Sequence, residues 1–215
     1  MGLKFIEDQL VNDCQVCHNT RHIRNTSGHY VRCSCISEFS AAKLMYKKGW
    51  NQNLVLFDAS KFKVKSQHQQ NLIKRIAEIV SSKDYTKSLF VYSLSTDRDI
   101  LASILIKRML MGDSNLKTLE KVSLNDLVDS YFNKNEDSDS SNNEILESCD
   151  ILQITVSDGL INTAHTSLLY NLLYSRILNG KFTILLSNMP YATFNNVFKE
   201  KTEYLLKENY SFFNC

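Results

Sequence analysis

Four thiols within the first 35 residues have the spacing to act together. Cys14 and Cys17 form a C-x2-C pair, Cys33 and Cys35 form a C-x-C pair, and 15 residues separate the two. Thiolates are soft ligands, and two short knuckles carrying four of them suit a closed tetrahedral zinc site. The competing reading is a pair of disulfides, which requires an oxidising compartment. The chain opens Met-Gly-Leu-Lys-Phe-Ile-Glu without an apolar signal core, so a cytoplasmic, reducing setting and bound zinc are expected. His18, His22 and His29 fall in the same stretch. Four sulfurs already fill a tetrahedron, so these rings are expected at the surface or supporting the ligands. Cys149 and Cys215 are isolated, with no base evident beside either, and no nucleophilic role is expected of them.

A second stretch carries the outline of a chemistry without its reagents. Residues 89–93 read as a buried strand that runs through a polar segment, 94–99, into an apolar-periodic helix, 100–111. Strand, polar loop and helix are the frame of a phosphate-binding loop. Such a loop needs glycines so that backbone N–H groups can wrap the phosphates, a lysine for their charge, and a hydroxyl for magnesium. Residues 93–99 contain no glycine, and Arg98 and Asp99 stand where lysine and Ser/Thr belong. Asp97 and Asp99 place negative charge where phosphate would settle. The strand over 150–156 should end in an acidic pair for magnesium, yet it ends in Thr155 and Val156, with Asp158 beyond it. ATP and magnesium are therefore not expected, and no catalytic residue is assigned. The pattern fits a pseudo-ATPase scaffold or an unrelated α/β domain that never bound nucleotide.

These groups need elements to position them. Helices are expected over 1–13, 36–50, 70–80, 124–132, 166–178 and 197–206, from apolar residues at helical spacing. Short extended pieces are expected at 30–32, 54–57 and 62–64, buried strands at 150–156 and 182–187, and an edge strand at 210–213. Residues 133–143 are too polar to pack and read as a surface loop. Strands alternating with helices imply a mainly parallel sheet covered on both faces. The expected architecture is α/β: a small zinc module over residues 1–50, then a three-layer P-loop NTPase-like domain over 51–215.

Bulk properties narrow the classes further. The chain has 215 residues, 43% hydrophobic and 22% charged, which is ordinary for a soluble globular protein. No apolar run is long enough to cross a bilayer, so no membrane partner is expected. The net charge of +2 argues against a strongly basic nucleic-acid binder, but it is unevenly spread. Residues 1–65 hold ten Lys/Arg against five Asp/Glu. A mildly basic head fits weak contact with nucleic acid, an acidic partner surface, or simply a solvated face.

The order of these pieces resembles the DnaC/DnaI-type helicase loaders, a branch of the AAA+ (RecA-like) ATPases that includes the IstB-like transposition ATPases. The resemblance rests on Cys14, Cys17, Cys33 and Cys35, on the Lys-Lys-Gly49-Trp50 and Phe57-Asp-Ala-Ser segments, and on Cys149-Asp150-Ile-Leu. It is strongest over 169–190, a helix with Arg176, a Gly180-Lys turn, and a strand ending Ser187-Asn188. The resemblance implies that Asn188 is the polar sensor residue, so Ser93, Arg98, Asp99 and Asn188 are the candidate, degenerate nucleotide-binding set. Without a phosphate cradle, Asn188 is expected to cap the strand end rather than to contact a nucleotide. Arg176 is expected at the surface or an interface. The implied function is a non-catalytic replication accessory protein that binds a replicative helicase or another replisome protein, with single-stranded DNA a further candidate partner. The alternatives are an ATPase loader with an unusual phosphate loop and a zinc-dependent DNA-binding regulator.

Overall fold

The computed structural model describes residues 2–132, 140–159 and 161–215. Helix α1 (Gly2–Glu7) passes directly into one wide turn, Asp8–Asn12. Strands β1 (His22–Arg24) and β2 (Tyr30–Arg32) then pair as an antiparallel hairpin. The sequence pattern marks only the second of these strands. Helix α2 (Ser34–Lys47) follows. The turn beyond it uses Gly49 at φ +87°, a left-handed conformation that glycine adopts without a Cβ clash.

The apolar run at 54–57, expected to be extended, instead joins helix α3 (Gln52–Val55). Both ends of that short helix are satisfied. Asn51 Oδ1 accepts the Asn53 N–H at 2.8 Å, and Lys107 Nζ donates to the carbonyls of Val55 and Phe57 at 3.1 Å each. Residues 62–64, also expected to be extended, pair with no strand among the described residues. Helix α4 (Gln67–Ser82) starts at a Ser66 cap and buries Leu72, Ile76 and Ile79.

The body alternates strands and helices: β3 (Ser88–Tyr92), α5 (Asp97–Gly112), β4 (Leu119–Ser123), α6 (Leu124–Phe132), α7 (Ser140–Ser148), β5 (Ile151–Val156), α8 (Thr163–Leu178), β6 (Phe182–Ser187), α9 (Tyr191–Asn209) and β7 (Tyr210–Asn214). All five body strands are parallel, in the order β4-β5-β6-β3-β7. Strand β4 is absent from the sequence expectation because its Leu-Glu-Lys-Val-Ser pattern has two adjacent charges in place of a continuous apolar run. Of the segment expected as a loop, residues 133–139 lie outside the described residues, and 140–143 begin α7.

Alternate strand residues feed two cores, as a period of two requires. Phe182, Ile184 and Leu186 of β6 face one layer with Leu101 and Leu105 of α5 and Leu72 and Ile76 of α4. Leu185 faces the other, with Leu169 and Leu173 of α8 and Phe194 of α9. Ile6 of α1, Met45 of α2 and Trp50 belong to the first core, so the N-terminal helices pack on the sheet's own layer. Trp50 is buried there. Chain order reverses between β6 and β3, which is where open parallel sheets bind ligands at their carboxyl ends.

Candidate metal centre and the carboxyl edge of the sheet

Two local structures bring the four thiols together. The wide turn after α1 ends in a reverse turn where the Cys14 N–H donates to Val11 O at 3.3 Å. The chain leaves Cys17 through His18, Asn19 and Arg21, with His18 at φ 45°, Asn19 at 65° and Arg21 at 63°. That run of left-handed residues turns it sharply into β1, and the Thr20 hydroxyl braces the turn by donating to Cys17 O at 2.5 Å. On the other side, the Cys33 N–H donates to Arg21 O at 2.9 Å, and Cys35 sits in the first turn of α2.

The resulting sulfurs all lie within 4.8 Å of one another, with Cys14–Cys33 at 3.9 Å and Cys17–Cys35 at 3.7 Å. A tetrahedron with zinc–sulfur bonds of about 2.3 Å has edges of about 3.8 Å. The donor set and its size therefore fit a tetrahedral metal ion. Cys17, Cys33 and Cys35 are buried, and Ile23 and Ile36 pack around them. Backbone N–H groups of Cys17 and Val16 aim at the Cys14 sulfur and lower its pKa to about 7. Burial, with three other sulfurs alongside, pushes Cys35 well above the ordinary thiol range. A cation at the centre would offset that crowding and favour four thiolates. His18, His22 and His29 are exposed and lie outside the thiol cluster.

At the carboxyl edge of the sheet the chain turns back on itself. The Ser93 N–H donates to Ser187 O at 3.1 Å, joining β3 to β6. Ser93 Oγ accepts the Ser95 N–H at 3.1 Å, and Ser95 Oγ accepts the Asp97 N–H at 3.2 Å. The N–H groups of Asp99 and Ile100 both donate to Thr96 O. Arg98 Nη1 donates to Ser93 O at 2.9 Å, and its Nε stands 3.5 Å from the Asp99 carboxylate. Helix α5 starts at Asp97, so only three residues, Leu94, Ser95 and Thr96, separate it from Ser93. Three of the amides that a phosphate cradle would present, those of Ser95, Asp97 and Asp99, are bonded to neighbouring protein groups, and Arg98 is folded onto the backbone of Ser93.

Asp97 points the other way. Its carboxylate takes Lys65 Nζ at 2.9 and 3.2 Å and Gln69 Nε2 at 3.0 Å, and the Lys65 bond leads the interactions that lower its pKa. At the ends of β5 and β6, Asn188 and Asp158 bond side chain to side chain and side chain to backbone. Ser93, Arg98, Asp99 and Asn188 thus lie at one edge, each bonded to neighbouring protein groups.

Two basic residues outside the candidate set organise the surroundings. Arg176, expected near the surface, is wholly buried. Its guanidinium donates to the carbonyls of Leu146 (2.6 Å), Cys149 (3.0 Å) and Phe182 (2.6 Å), and to Thr183 Oγ1 (2.9 Å). It satisfies the open carbonyls after α7, where the helix dipole also favours a cation. Lys107 donates to Glu38 at 3.0 Å as well as to the two carbonyls after α3, tying α2, α3 and α5 together. Sequence spacing gives no sign of either role, because the acceptors are backbone atoms remote in the chain.

No protein-family model matches this chain, and no curated protein sequence matches it. Solved structures do match. A crystal structure of DnaI aligns with a TM-score of 0.64 at 9% identity, over 77% of this chain and 94% of that one. The DnaC helicase loader aligns at 0.61 and 17% identity, over 71% and 93%. A candidate primosome component from Streptococcus pyogenes serotype M3 aligns at 0.61 and 12% identity, over 78% and 90%. The α/β fold of this chain is therefore similar to the folds of DnaI and of the DnaC helicase loader, in line with the fold that the sequence resemblance leads one to expect.

Proposed function

We propose that this chain is a non-catalytic replication accessory protein, a loader fold retained as a docking scaffold. On this reading residues 1–50 form a zinc module and residues 51–215 a degenerate AAA+-like domain. Its partner is a replicative helicase or another replisome component, a class supported by the helicase loader among its structural neighbours. Cys14, Cys17, Cys33 and Cys35 would hold the zinc. The ion would cross-link the turn after α1 to the start of α2 and fix the hairpin between them.

The observation that carries the proposal is the loop after β3. The Ser95, Asp97 and Asp99 amides are bonded to Ser93, Ser95 and Thr96 of the loop itself, and the two carboxylates, Asp97 and Asp99, are already paired with Lys65 and Arg98. A triphosphate would have to break those bonds and draw Arg98 away from the groups that hold it. Calorimetric titration with ATP and magnesium is expected to show no binding. Pull-down of the replicative helicase is expected to succeed and to fail after chelation. Micromolar ATP affinity with magnesium-dependent turnover would move the chain to the competing class, an active loader with an unusual loop.

A further inference from the structure

The hairpin above the thiol cluster has two faces, and only one is explained by packing. In an antiparallel pair, residues directly opposite share a face. Ile23 pairs with Val31 and turns toward the cysteines, where Ile23 packs. His22 pairs with Arg32 and Arg24 with Tyr30, so these four side chains share the outer face, and all four are exposed. Tyr30 is 77% exposed, an aromatic ring with no packing role in the fold. Arg24 lies beside it across the ladder, held over the turn by donation from Nε to Gly28 O at 3.1 Å.

The stretch that carries this face has charges of one sign. From residue 14 to residue 37 the chain holds three arginines and three histidines and no Asp or Glu. Arg21 is paired with Glu7 at 3.4 Å, whereas Arg24 and Arg32 have no acidic partner within 4 Å among the described residues. A cationic surface with an open ring at its centre matches one kind of polymer, in which phosphates alternate with flat, unpaired bases. An acidic peptide would match the arginines and leave the ring uncovered. A duplex would match the arginines but keep its bases stacked away from the ring.

We infer that the outer face of the β1–β2 hairpin is a contact site for single-stranded nucleic acid. Tyr30 stacks on a base, and Arg24 and Arg32 take the flanking phosphates. The site is distinct from the carboxyl edge of the sheet and does not depend on the helicase reading.

The test uses the full chain, shown to be zinc-loaded by elemental analysis, and the fluorescence anisotropy of labelled oligo-dT, oligo-rU and a duplex of equal length. Binding to the single strands is expected to exceed binding to the duplex, and the two single strands separate DNA from RNA as the source. Tyr30→Ala should weaken binding about tenfold, while Tyr30→Phe, which keeps the stacking ring, should restore it. Arg32→Ala should reduce the slope of log affinity against log salt by about 0.7. Equal binding by wild type and Tyr30→Ala, or preference for duplex, would overturn the site. So would variants that keep oligonucleotide affinity but lose helicase capture, because that result assigns the face to a protein partner. Unchanged zinc content and circular dichroism in the variants separate these results from misfolding.

Discussion

Asn188 and Asp158 hold each other by two bonds. The Asp158 N–H donates to Asn188 Oδ1 at 2.7 Å, and Asn188 Nδ2 donates back to the Asp158 carboxylate. One carboxamide and one carboxylate, both placed where a nucleotide-binding protein keeps working polar groups, are here committed to joining two strand ends. Replacing Asn188 with Ala should cost about 1 kcal/mol of stability in urea unfolding, the usual scale for bonds at a partly exposed site. ATP binding is expected in neither the wild type nor the variant. Nucleotide affinity that appears in wild type and vanishes in Asn188→Ala would reverse the assignment.

The thiol cluster makes a stoichiometric prediction. Elemental analysis should find about one zinc per chain, and Cys33→Ser or Cys35→Ser should lose it. Ligand thiols must be deprotonated to bind, so zinc should leave as the solution is acidified. Chelation should broaden the NMR signals of residues 14–35 first. Retained zinc in both serine variants would show that the sulfurs are not its ligands.

Arg176 is a stability residue on this structure. Its removal would leave the carbonyls of Leu146, Cys149 and Phe182 without their donor in a dry site. Arg176→Leu should destabilise the fold by about 3–5 kcal/mol, and Arg176→Lys should recover only part, since an ammonium cannot span the planar fork. The shift in denaturant midpoint reads this directly. A change below about 1 kcal/mol would mean that the surroundings re-solvate readily.

Asp150 gives the acid limb of stability. Burial opposes its ionisation, but the Lys117 and Thr118 amides, the Lys181 ammonium and the Thr118 hydroxyl outweigh that and bring its pKa to about 2. The folded pKa lies below the unfolded one. Its contribution is therefore complete above the unfolded value near 3.8 and is lost as pH falls through about 2. Asp150→Asn should cost about 1–2 kcal/mol at neutral pH and flatten the decline between about pH 4 and 2. A variant with an unaltered acid limb would show the shift to be illusory.

Strands β3, β5 and β6 were legible because a strand buried on both faces writes a continuous apolar run. Strand β4 was not, because an edge position tolerates Glu120 and Lys121, and Lys48 pairs with that glutamate. The 54–57 run misled for another reason: four apolar residues cannot distinguish a strand from one helical turn, and Asn51 and Lys107 decided it from outside the run. The cysteine spacing announced a cluster, and the folded sulfurs lie at a metal's scale. Residue types at 93–99 revealed what a phosphate loop lacks, but not that Ser93, Ser95 and Thr96 bond its amides from within. Arg176 could not be placed from sequence, since nothing in a helical pattern reveals a set of carbonyl acceptors.

Ile6 and Met45 share a core with Leu101, and Lys107 links Glu38 to the same helix, α5. The thiol head is thus joined to the body through packed helices and does not trail on a tether. A load applied at the hairpin passes along α2 into α5, whose first turn borders the carboxyl edge of the sheet. Whatever grips the head steers the whole body with it, so orientation at the tip becomes orientation of everything behind.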